Sequence, residues 1–316
     1  MMNGMIWGTV AGAALLVAVA AGCDSSGALP TTHEPPPVND ATEQAKKGYW
    51  EALRAGNVPA VLDAHRRMIA VFEARPTDHE LARLIGFNNI FLVAYDAVEP
   101  REEPALRTDA LEYTELAVRL PNDPYMQLYN SAFWGGTLYT TGARRNDPAA
   151  AQQGRDLLEA VVQKIPAFGL LTRSVVMRQA ARGSQDWAIS LESIFRFYER
   201  CTGQRIDRAH PDLTPVLARP FADPDSTCGN WEHAPHNIQG SLLHLGDSLV
   251  KNDQPDAARP VYELIERTEG YQGWAFASLV EERLASDLAK RARLYDQGEP
   301  FEQPEVGADC LSCHQR

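Results

Sequence analysis

The chain ends Gly307-Ala308-Asp309-Cys310-Leu311-Ser312-Cys313-His314-Gln315-Arg316. Two thiols three positions apart, with an imidazole directly after the second, gather three metal-binding or nucleophilic groups into one turn of chain. Left alone, such a group is a free dithiol or closes a local disulfide. As part of a small metal site it needs more: a tetrahedral zinc requires a fourth ligand from elsewhere. A second concentration of chemistry lies in Cys228-Gly229-Asn230-Trp231-Glu232-His233-Ala234-Pro235-His236-Asn237, followed by a helical pattern containing His244. Three imidazoles within 12 residues can supply ligands to a metal. The plainer alternative is a helix entry with a hydrogen-bonded core histidine.

Cys310-x-x-Cys313-His314 resembles the attachment motif of c-type haem proteins. The resemblance implies a covalent haem on Cys310 and Cys313, with His314 as the proximal ligand of its iron. It covers the motif alone. Only two residues follow His314, whereas a cytochrome c domain carries a long helical remainder after its motif. The haem must then find cover on the preceding body or on a partner. His233, His236 and His244 are the candidates for the second axial position. Met68, Met126 and Met177 are weaker ones, since each falls in a helical pattern where methionine fills core space.

The other end carries an apolar run, Ile6 to Ala21, then Ala20-Ala21-Gly22-Cys23 and a polar stretch from Asp24. It resembles a bacterial lipoprotein signal peptide with its lipobox. That implies export, cleavage before Cys23 and a diacylglyceryl thioether on Cys23. The protein would be tethered to a membrane and face the periplasm or the cell exterior. Two features depart from the pattern: residues 1–22 contain no Lys or Arg, and the box begins with Ala20 instead of Leu. Of the 5 cysteines, one lipidated and two haem-bound residues leave Cys201 and Cys228. In an oxidising compartment these are expected to form a disulfide, with two buried free thiols as the alternative.

These groups need a scaffold. Hydrophobic residues make up 44% and charged residues 23%, a globular composition that excludes a disordered chain. The formal net charge of -12 without a basic cluster argues against nucleic acid as a partner. The one long apolar run, at the N-terminus, excludes a polytopic membrane protein. From Ala41 onward Tyr49, Leu53, Val58, Val61, Met68 and Val71 recur at helical spacing, broken by Gly56-Asn57. Further breaks fall at Pro76-Thr77-Asp78, Pro100 to Pro104, Pro121 to Pro124, Asn146-Asp147-Pro148 and Pro166. Asp78, Asp123 and Asp147 are expected helix N-caps. No run with a period of two suggests a sheet, so the fold class is all-α.

Pro76, Pro121 and Pro166 recur every 45 residues, each ending a helical pattern. Small residues such as Ala60, Ala64, Ala110 and Ala117 precede them at positions where two helices can approach closely. Gly56 to Pro76 and Asn252 to Tyr262 resemble the second helix of tetratricopeptide repeats. The resemblance covers roughly residues 42–182 and 236–296, and implies an array of helical hairpins. The alternative is a bundle without repeats. Gly135-Gly136 inside a helix implies close helix packing, or room for a flat ligand. Glu281, Glu282 and Arg283 read as a solvated helix face.

The expected organisation is a signal peptide (1–22), a tether (23–40), a helical repeat region (41–205) and an irregular disulfide-clipped loop (206–235). C-terminal helices (236–296) and an extended tail with the motif (297–316) complete it. The chain lacks a Gly-rich phosphate loop, a serine elbow and a His-Glu-x-x-His motif. The expected function is electron transfer by an exported, membrane-tethered single-haem protein whose helical body docks a redox partner. The alternatives are a haem-free scaffold or solute-binding lipoprotein, and a haem peroxidase or sensor.

Overall fold

The computed structural model describes residues 40–94, 101–297 and 312–315. The apolar N-terminal run, Cys23, the tether before Asp40, Cys310 and the stretch 298–311 lie outside the described residues. The fold is all-α. Its helices are α1 (Asp40–Arg54), α2 (Val58–Ala74), α3 (His79–Ala94), α4 (Glu103–Arg119), α5 (Pro124–Arg145) and α6 (Pro148–Lys164). They continue as α7 (Pro166–Met177), α8 (Gln185–Thr202), α9 (Asn237–Lys251), α10 (Pro255–Ile265), α11 (Ala277–Ala285) and α12 (Leu288–Asp296). No strand forms among the described residues, where only an isolated bridge links Trp231 and Ala234. No helix among them is long and apolar enough to cross a membrane.

Local chemistry sets the boundaries. Gly56 takes a left-handed φ of 61°, and Asn57 then caps α2 by accepting from the Ala60 amide. The Asp78 carboxylate accepts from Leu81 N at 2.8 Å, Asp123 from Met126 N at 2.9 Å and Asp147 from Ala150 N at 3.1 Å. All three predicted caps therefore form. Pro76 and Pro121 follow the ends of α2 and α4, while Pro166 opens α7 two residues after the end of α6.

Successive helices pair as five hairpins: α1 with α2, α3 with α4, α5 with α6, α7 with α8, and α9 with α10. Small residues make the pairing close. A Cβ on Gly154 would lie 2.5 Å from Tyr139 N and 2.6 Å from Gly135 O, so α5 and α6 touch backbone to backbone. Gly135 serves this contact, whereas Gly136 faces Val176 on α7, where a Cβ would meet Cγ2 at 3.0 Å. Ala64, Ala110 and Ala117 are buried as expected. One apolar cluster joins α1 to α4 around Tyr49, Leu53, Met68 and Leu84. Another joins α7 to α12 around Tyr198, Leu242, Leu249 and Tyr262. Each fully buried side chain of this size contributes about 1.5–3 kcal/mol.

Between α8 and α9 the chain is irregular apart from two short 3-10 turns. Cys201 at the end of α8 is disulfide-bonded to Cys228, with a Cα–Cα distance of 5.3 Å. The face containing Arg283 corrects the sequence reading. Arg283 is buried, not solvated, and its Nε donates to Asp247 on α9 at 3.1 Å. The Tyr262 hydroxyl donates to the same carboxylate oxygen at 2.6 Å. Glu281 and Glu282 are exposed as expected.

Candidate functional site

The first helix of every hairpin turns a second face inward. Those faces of α1, α3, α5, α7 and α9 surround a cavity of about 300 Å³, and the second helices of the hairpins contribute nothing to its wall. The spacing on each helix explains this. Arg83, Phe87, Ile90 and Phe91 form one stripe on α3, and Tyr125, Tyr129, Ala132, Phe133 and Gly136 form another on α5. The wall is mainly apolar and includes a cluster of aromatic rings. Tyr129 stacks on Phe168 at 4.2 Å, and Phe87 meets Phe133 edge-on at 5.6 Å.

The end of the chain completes this wall. Ser312 to His314 form a single helical turn packed against the start of α9. Trp274 Nε1 donates to Ser312 O at 2.7 Å, and His236 N donates to Cys313 O at 3.0 Å. Gly240 supplies the space, since a Cβ there would sit 2.5 Å from Cys313 Sγ and 2.7 Å from Ser312 Oγ. Cys313 and His314 both face the cavity.

The carbonyl of His233 accepts a hydrogen bond from His314 Nδ1. Because a carbonyl cannot donate, the proton sits on Nδ1 and the Nε2 lone pair stays available. Trp50 on α1 stacks on His233 at 4.6 Å and lies 5.7 Å from the His314 ring. Arg54 adds a bond to Glu232 O at 3.3 Å. The first helix, the loop before α9 and the chain end thus meet at one point. Burial pulls the His314 pKa down to about 4, partly offset by the bond to His233, so the ring is neutral at pH 7. Burial also pushes the Cys313 thiol up to about 12.

The other sequence candidates take distinct places. The His233 ring lies between Trp50 and Trp231, and the cavity wall does not include it. His236 occupies the N-cap position of α9 beside Trp274, without a side-chain capping bond, and holds the tail through its backbone N–H. His244 does face the cavity, but both ring nitrogens are engaged. Arg178 donates to Nδ1 at 3.3 Å, which leaves Nε2 as the protonated nitrogen, 2.8 Å from Ser174 Oγ. Burial and the Arg178 charge hold its pKa well below the ordinary histidine value. Met68 and Met177 are core residues, Met126 is half-buried, and none of the three lines the cavity.

No group of three or more His, Cys, Asp or Glu side chains among the described residues could hold a bare metal ion. A haem asks less of the protein, because its porphyrin supplies four ligands. The residues present fit such a group: a neutral imidazole with Nδ1 anchored on a carbonyl, the usual way a metal-bound histidine is oriented, beside a thiol and an aromatic cavity. The aromatic wall was not singled out in the sequence. Its signal was the second apolar stripe on α3, α5 and α7, beyond the one each needs to pair with its neighbour. The chain matches no protein-family model, and no curated protein or solved structure shows significant similarity to it.

Proposed function

We propose that this chain is an exported, membrane-tethered c-type haem protein that transfers electrons, with its haem in the cavity enclosed by the helical hairpins. The observation carrying this reading is the placement of Cys313 and His314 on the wall of an aromatic cavity, with His314 Nδ1 held by His233 O. Bound there, a haem supplies reversible one-electron chemistry at its iron. Cys310 and Cys313 hold it through thioethers, and His314 ligates through Nε2. The His233 carbonyl fixes the ring orientation, and Trp50 limits its rotation. Phe87, Phe133 and Phe168 exclude water, which favours a stable low-dielectric site.

In this reading Cys23 carries the lipid that keeps the protein on its membrane, and the tetratricopeptide-like hairpins offer the docking surface. A net charge of -12 favours a partner with a basic contact face. The test is a haem-peroxidase stain of a denaturing gel, run on protein from a host that matures c-type haem. A band at the mature mass is expected. A colourless, unstained protein supports the haem-free scaffold instead.

A second reading, a sensor or peroxidase, is favoured by the engagement of His244 with Ser174 and Arg178. It requires an axial position open to a small ligand. Carbon monoxide added to the reduced protein would then shift the absorbance spectrum, and an unchanged spectrum supports electron transfer alone.

A further inference from the structure

Arg83 stands out on the cavity wall. Its side chain is only 7% exposed, and its guanidinium carbon lies 5.0 Å from the Tyr129 ring centre and 5.2 Å from that of Phe133. Nε is buried with no hydrogen-bond partner among the described residues. The guanidinium reaches one carboxylate there, Glu80, at 3.4 Å. That contact is weak for a reason. The other Glu80 oxygen is held by Lys46 at 2.9 Å, and Lys46 also takes Asp78 at 2.9 Å. Glu80 is thus shared between the lysine and the arginine, and the arginine fork keeps an unfilled donor at Nε among the described residues. The ionisable residues sharing the cavity wall include His244 and His314, both with pKa values lowered by burial.

A buried guanidinium whose one carboxylate is shared with a lysine, and whose Nε has no partner among the described residues, is costly unless something completes it. Its planar fork matches a carboxylate through two parallel hydrogen bonds. The rings beside it are those of Tyr129 and Phe133 and the wall beyond is mainly apolar, so the rest of the ligand is expected to be apolar and flat where it meets those rings. We infer that Arg83 binds a carboxylate of the planar apolar molecule that fills the cavity. On the reading above, that carboxylate is a haem propionate. The same chemistry would recognise a separate flat aromatic acid.

The test uses the full chain expressed without haem maturation, titrated with mesoporphyrin or its dimethyl ester and followed by tryptophan quenching. The wild type is expected to bind the acid about tenfold more tightly than the ester. Arg83→Leu should lose that preference while still binding the ester, and Arg83→Lys should keep part of it. Ester binding reports that each variant is folded. Equal binding of acid and ester by the wild type overturns the inference, as does an undiminished preference in Arg83→Leu. A matured chain without haem whose Arg83-dependent preference persists would remove the haem reading alone and point to a separate carboxylate ligand. A haem-bearing chain with no such preference would remove the Arg83 assignment alone.

Discussion

The backbone carbonyl of His233 holds the Nδ1–H of His314, although the two residues lie 81 positions apart in the chain. The geometry turns the chain end inward and leaves Nε2 as the lone-pair nitrogen. Trp50 from the first helix lies against both rings, so the site is built from the beginning, the late loop and the end of the described chain.

Docking of the tail depends on the missing side chain at position 240. Gly240→Ala places a methyl 2.5 Å from Cys313 Sγ and 3.0 Å from Cys313 N, so the tail must leave or shift. Alanine is also the better helix former, by about 1 kcal/mol within α9. The expected outcome is a released tail on an intact body. Trp274 would lose its bond to Ser312 O, so its indole should exchange hydrogen faster while the helical circular dichroism stays unchanged. Unchanged indole protection would contradict this packing.

The disulfide spans 27 residues of sequence separation. In the chain-entropy model, closing a loop of that length contributes about 3.5 kcal/mol. Replacing Cys201 and Cys228 with serine should lower the unfolding free energy by about that amount and speed proteolysis between 203 and 228. A double variant as stable as the wild type would refute this.

How much was legible in the sequence depended on range. Asp78, Asp123 and Asp147 were readable as caps because capping is settled within three residues. The proline spacing marked the ends of α2, α4 and α6 for the same reason. Arg283 was misread because its partner Asp247 lies 36 positions away, and nothing local marks a buried charge. The cavity stayed hidden because its aromatic stripes have the spacing of ordinary core. Only the closure of the hairpins around a centre separates the two. The contacts of His244 with Ser174 and Arg178, some 70 residues earlier, were equally out of reach of a local reading.

That contact predicts the outcome of an exchange at His244. On the haem reading, His244→Leu should leave the ferric electron paramagnetic resonance spectrum unchanged, because Ser174 and Arg178 already engage both ring nitrogens. It should also cost about 2 kcal/mol of stability through the broken buried bonds. A change of spin state in this variant would instead make His244 the second axial ligand.

Acid should destabilise the fold through its buried histidines. Burial pulls His65 on α2 down to about 4, with a bond to Asn89 partly opposing the shift. In the unfolded chain the same ring titrates near ~6.5. Between those values the unfolded state binds a proton that the folded state refuses. Stability from His65 is therefore full above pH ~6.5 and is lost as pH falls toward 4, by about 2 kcal/mol at pH 5. Urea titrations at pH 7 and pH 5 should show that loss, and His65→Gln should reduce it. An identical pH dependence in both proteins would show that His65 is not responsible.

A haem carried on the tail beside the cavity, as proposed, is read out by peptide mass mapping of protein from a host that matures c-type haem. The C-terminal peptide holding Cys310, Cys313 and His314 should carry the mass of one haem through both sulfurs, and this mass should survive denaturation. Recovery of that peptide with two unmodified thiols, or with a disulfide between them, would contradict it.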